Sequence, residues 1–251
     1  MRWSGADSMS APEAALDWSK PMQSSLASKL AKNIEEYASH LRAHPLLELA
    51  ERGRFPPCGV ATYLMNIRFL VEHTPRHLIL ARDRSLEFGQ LELSAFFDKK
   101  LREEADHDVW AKDDLSLMNQ LFGAEPLGGP SQHLRDLAHS LERVIIERPS
   151  LYLAHTLFVE YLMVLLGPIW LSALSEQCKI PNAALTVVSK HVELDEGHVV
   201  DELSEIDALL FGEAPLPYLD TLHCSMRYFE LFCDELHHMF GRADSSPVAA
   251  E

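Results

Sequence analysis

The sequence predicts an all-α protein, and three observations carry that prediction. Apolar residues recur three and four positions apart almost throughout the chain, which is the period of one helix face. No segment alternates apolar with polar in the manner of a half-buried strand. Each interruption of the helical pattern carries turn chemistry: Pro45, Gly53 to Pro57, Gly123 to Pro130, Pro149, Pro181, and Gly212 to Pro217.

Taken in order, residues 1–20 are small, polar and mixed, with no apolar run resembling a secretory signal. They read as a disordered leader. A single helical domain is expected over 21–241, with helices near 22–43, 46–53, 57–81, 86–106, 108–122, 131–147, 150–177, 182–211 and 216–240. Pro75 and Pro168 fall inside helical patterns, so kinks or breaks are expected there. The longest apolar stretch, 157–174, contains Glu160, Gly167 and Pro168, and reads as too short and too interrupted for a membrane span. Residues 242–251 read as a frayed tail.

Composition narrows the function classes. The chain has 251 residues, of which 47% are hydrophobic, enough for one sizeable core. Its net charge of −16 argues against nucleic acid or an anionic membrane as partner and favours a small-molecule ligand. The four cysteines, at 58, 178, 224 and 233, form no CxxC or zinc-like spacing. Reduced thiols in a cytoplasmic protein are expected.

The chemistry-bearing pattern appears twice. Glu72 precedes Glu104 by 32 residues, and Glu104 is followed by His107. Glu160 precedes Asp195 by 35 residues, and Asp195 lies within His191-Val-Glu-Leu-Asp195-Glu-Gly-His198. A carboxylate on one helix, followed by an acid and a histidine one turn apart on another, is how a helical bundle builds half of a two-metal site. His191, Asp195 and His198 fall within roughly a 60° arc of one helix face. Glu160 is flanked by Leu157, Phe158, Val159, Tyr161 and Leu162, so its carboxylate is expected to be buried and to need a metal, a buried cation or a raised pKa. Six acid-x-x-His pairs occur in the chain; the pairs at 104 and 195 stand out by their upstream carboxylates. Glu72 is the preferred first-half carboxylate, with the adjacent His73 as its alternative. Tyr63, Tyr161 and Trp110 read as core aromatics near the site.

This pattern resembles the heme-oxygenase-like diiron oxidases and oxygenases, also described as iron-containing redox enzymes, over roughly residues 25–240. The resemblance implies a heme-oxygenase-like bundle of about seven helices, often dimeric. It implies two Fe(II) ions held by Glu104, His107, Glu160, His191, Asp195 and His198, with Glu72 matching approximately. O₂ would be the co-substrate, and Glu160 and Asp195 would be catalytically essential. A small amine, amino-acid-derived or fatty-acid-like metabolite would be hydroxylated, cleaved or rearranged. An external electron donor and a homodimer fit the same resemblance. Phe69, Phe96, Phe97, Leu162 and Trp170 are expected to line the pocket, suiting a substrate with an apolar or aromatic part.

Three alternatives stand beside it. A ferritin-like four-helix bundle shares the repeated Glu…Glu-x-x-His pattern but lacks a counterpart to His191. A metal-free, thiaminase-like enzyme of the same fold would use a cysteine, for which Cys178 is the nearest candidate by position. A non-enzymatic helical interaction protein would satisfy Glu160 with a protein cation, and few basic residues lie in the core helices.

Overall fold

The computed structural model describes residues 25–241; the expected leader and tail, and the first residues of the expected 22–43 helix, lie outside them. Nine α-helices make up the described chain, and no strand occurs among the described residues. They are α1 (Leu26–Leu41), α2 (Pro45–Glu51), α3 (Pro57–Glu87), α4 (Leu91–Glu103), α5 (His107–Phe122), α6 (Gln132–Glu147), α7 (Leu153–Ser172), α8 (Thr186–Leu209) and α9 (Pro215–Phe240).

Several boundaries follow from ordinary capping. Ser25 accepts from the backbone of Ser28 at the start of α1, and Ser131 does the same for His133 at the start of α6. Pro45, Pro57 and Pro215 each open a helix, where a missing N–H costs nothing. Gly123, at φ +59, closes α5 in the left-handed conformation.

The prolines inside α3 and α7 do not break them. The first of these helices runs unbroken from 57 to 87 through Pro75, and the second from 153 to 172 through Pro168. Around Pro75 the side chains of His73 and Thr74 donate to the carbonyls of Phe69 and Leu70, giving this stretch polar partners beyond the helical ladder. A short 3-10 turn, Pro149–Tyr152, leads into α7, and a π turn, Ala173–Gln177, extends it. Residues 149–177 therefore form one helical run, longer than the expected 157–174 stretch and long and apolar enough to cross a membrane by length and composition alone. In the fold this run is the central pillar. It packs against α8, α9 and α1, while α3 packs against α4, α5 and α6.

The pillar is apolar on nearly every side, as a helix surrounded by others must be. Leu153, Ala154, Leu157, Phe158 and Leu162 are buried in the core, and Glu160 is buried among them at 6% exposure. Gly167 lets α8 approach closely: a Cβ there would come within 2.7 Å of Val192 Cγ2 and 2.5 Å of Met163 Sδ. Val192 adjoins His191, so this close approach helps set the distance between the helices that carry Glu160 and His191.

Candidate metal centre

Four helices bring the site together. α7 supplies Glu160, α8 supplies His191, Asp195 and His198, Glu104 caps the end of α4, and α5 begins at His107. The start of α8 is fixed from outside that helix. Asp114 of α5, 1% exposed, accepts from the backbone N–H groups of Thr186 and Val187 at 2.9 and 2.8 Å. An aspartate from a neighbouring helix thus performs the capping that no local side chain provides. His191 lies one turn further on.

Glu104 and His107 do not share a helix. α4 stops at Glu103, Glu104 caps it, and Asp106 adopts a left-handed φ of +67 before α5 begins at His107. Aspartate tolerates this region better than most residues, at some cost in strain. The turn brings His107 Nδ1 to 3.1 Å from Glu104 Oε2. A carboxylate only accepts, so Nδ1 is the donor in this contact and Nε2 is the ring nitrogen left for another partner. His191 is oriented the same way: its Nδ1 donates to the Val187 carbonyl at 2.6 Å. The two rings meet edge to face at 4.8 Å, and Trp110 stacks on His107 at 4.3 Å.

Donor atoms of Glu104, His107 and His191 lie within 4.8 Å of one another, and so do those of Glu104, Glu160 and His198. Glu104 is common to both groups. Asp195, 2% exposed, sits between His191 and His198 on α8. Its Oδ1 is 3.6 Å from His198 Nδ1, beyond hydrogen-bond reach, and both buried atoms lack a hydrogen-bond partner. A cation between them would satisfy both. Mixed carboxylate and imidazole donors suit iron, manganese or zinc, so the residues fit a two-metal centre.

Charge points the same way. Three carboxylates, Glu103, Glu160 and Glu202, flank one ammonium, Lys100, while Glu104 and Asp195 add their charge to the same cluster. That lysine, 2% exposed, places Nζ 2.8 Å from both oxygens of Glu160, 3.4 Å from Glu202 and 3.6 Å from Glu103. Burial pushes Glu160 well above the usual carboxylate range; Glu202 adds to this and Lys100 opposes it. Burial likewise raises Glu202 and Asp195. Burial also works against ionised Glu104, but the hydrogen bond from His107 and the charges nearby hold its pKa below normal. The Asp195 carboxylate raises His198.

Six of the seven sequence-predicted ligands, Glu104, His107, Glu160, His191, Asp195 and His198, converge on this centre. Glu72 stands apart: it is half-exposed, accepts from Arg68 at 2.8 Å, and does not line the cavity described below. One step along the helix, His73 does line that cavity, but it joins neither donor group. Two buried participants were missed in the sequence. Glu202 continues the α8 stripe of 191, 195 and 198 one turn onward, and its Oε1 accepts from Thr156. Lys100 stands one turn before Glu104 on the buried face of α4 that includes Phe96 and Phe97. Few basic residues lie in the core helices, but this one supplies Glu160 with the protein cation that the non-enzymatic alternative requires.

A cavity of about 200 Å³ opens beside the centre. Its wall includes Tyr63, Ile67, Leu162, Met163, Trp170 and Phe229, and it reaches Glu104, Glu160, His191 and Asp195. Leu162 and Trp170 line it as expected, but Phe69, Phe96 and Phe97 do not. Phe96 and Phe97 are buried in the core, and Phe69 lies against the His73 ring. His77 and His155 also face the cavity, with pKa values lowered by burial to about 4 and about 3. Cys178 lies away from it, its thiol donating to the Ala50 carbonyl and its pKa raised by burial.

No family model and no curated protein matches the sequence. Solved structures do resemble the fold. A domain of unknown function with a heme oxygenase-like fold from Shewanella denitrificans is 14% identical, with a TM-score of 0.69 over 85% of this chain and 93% of that one. A TenA homolog from Pseudomonas syringae is 15% identical, with a TM-score of 0.64 over 85% and 93% of the two chains. A CADD-like protein of unknown function from Nostoc punctiforme is 14% identical, with a TM-score of 0.63 over 84% and 98%. The helix order, the central apolar pillar and these likenesses together assign the chain the heme oxygenase-like fold.

Proposed function

We propose that this chain is a non-haem diiron oxidase or oxygenase that uses O₂ to oxidise a small molecule with an apolar or aromatic part. The observation that carries the reading is Glu104, whose carboxylate belongs to both donor groups and so suits a bridge between two metal ions. His107 and His191 would hold one iron, Glu160 and His198 the other, and Asp195 has a free oxygen beside His198. Bound iron would supply the electrons and coordination positions that activate O₂. The protein's part is to fix the His107 and His191 imidazoles by hydrogen bonds from their Nδ1 atoms, to place the substrate in the apolar cavity, and to keep water from the reacting atoms. A homodimer, an external electron donor and a cytoplasmic setting belong to the same proposal.

A metal-free enzyme of the same fold is the second reading, favoured by the Lys100–Glu160 pair and by the likeness to a TenA homolog. Cys178 is outside the cavity, and burial raises the pKa of its thiol and of the Cys233 thiol, which does line the cavity, so neither is ready as a nucleophile. Anaerobic loading with Fe(II), followed by metal analysis and O₂ consumption, separates the two. About two irons per chain and O₂ uptake support the diiron reading; a chain that binds no iron sinks it.

A further inference from the structure

Lys100 is the buried cation of the centre, and a two-metal reading does not use it. Its ammonium lies 2.8 Å from Oε1 and 2.8 Å from Oε2 of Glu160, the symmetric approach that a chelating cation would make to that carboxylate. The other donor group has no such rival. Glu104 receives a hydrogen bond from His107, and His191 is held by a backbone carbonyl; neither contact is with a lysine or an arginine.

Resting on the diiron reading, we propose that Lys100 competes with a divalent metal for Glu160, so that the two halves of the centre fill unequally. The Glu104–His107–His191 half fills first. The Glu104–Glu160–His198 half fills as Lys100 releases the Glu160 carboxylate. The lysine has somewhere to go, because Glu202 at 3.4 Å and Glu103 at 3.6 Å already flank it. Thr156 holds the far oxygen of Glu202, which fixes that alternative partner in place. The four-carbon stem of lysine allows a short retreat without loss of burial. The opposite role, in which Lys100 orients Glu160 for the metal, predicts the opposite response to its removal.

The test is equilibrium binding of Mn(II) to the full chain, read by metal per chain and by the electron paramagnetic resonance of free and bound ion. Wild type should show one tight site and a second about tenfold weaker or more. Lys100→Met, prepared with Mn(II) present to offset the carboxylates it leaves unpaired, should tighten the second site by roughly tenfold and leave the first unchanged. Lys100→Arg keeps the charge and offers a two-pronged donor to Glu160, so its second site should be weaker than in wild type, which preserves the test should the methionine variant fail to fold. Equal filling of both halves in wild type, a second site unchanged or weaker in Lys100→Met, or one as tight as wild type or tighter in Lys100→Arg would overturn the role of Lys100 alone. Binding of no metal by any of them would overturn the diiron reading along with it.

Discussion

Glu104 ends one helix and His107 begins the next, yet their side chains meet at 3.1 Å across a turn whose Asp106 is left-handed. Strain in that turn is therefore tied to the geometry of the centre. Asp106→Gly removes the steric cost and should be neutral or stabilising by up to about 1 kcal/mol. Asp106→Val, which resists positive φ, should destabilise the fold by roughly 1–3 kcal/mol and weaken metal binding. Thermal melts with and without Mn(II) check both; a valine variant that melts and binds like wild type would refute the link.

Asp114 caps α8 from α5. Asp114→Ala orphans two backbone donors and should cost about 2–3 kcal/mol. Amide hydrogen exchange should quicken first at Thr186 and Val187. Unchanged protection there would show that the cap is redundant.

Asp195→Ala removes a buried carboxylate that has a free oxygen. The fold should survive, since burial already strains the charged form of this group, while bound iron and O₂ consumption should fall. Full iron content in a folded Asp195→Ala protein would contradict the assignment. Glu160→Gln should likewise fold and lose activity, and an unchanged turnover rate would refute that.

His77 is neutral in the fold, its pKa lowered to about 4 against an ordinary value of 6.5. A histidine depressed in this way contributes stability above its unfolded pKa, and that contribution is lost as pH falls from about 6.5 through about 4. The full effect is on the order of 3 kcal/mol. His77→Gln should therefore flatten the acid limb of stability against pH in urea melts. Parallel limbs for wild type and variant would show that His77 does not set it.

Gly167→Ala places a methyl group against Val192 and Met163. It should destabilise by about 1–3 kcal/mol and loosen metal binding by moving His191. A variant with wild-type melting temperature and metal affinity would show that the contact yields easily.

Much of this was legible in the sequence because it depends on period. The α8 stripe of His191, Asp195 and His198 and the apolar surround of Glu160 follow from 100° per residue and from burial alone. What escaped depends on partners in other helices. Glu72 and Glu104 have a plausible spacing, but nearby Arg68 claims Glu72. Glu202 sits on the same stripe but looks like a surface acid until Thr156 and Lys100 are placed beside it. The unbroken helices through Pro75 and Pro168 were also hidden, because packing on both sides outweighs the local cost of proline.

The helix α5 touches the centre at two points. Its first residue, His107, is a donor, and two turns on Asp114 fastens the start of α8. It therefore behaves as a strut with both feet on the same centre. Any displacement of His107 would be carried along α5 to the first turn of α8, one turn before His191, so the two imidazoles are mechanically tied through a single helix.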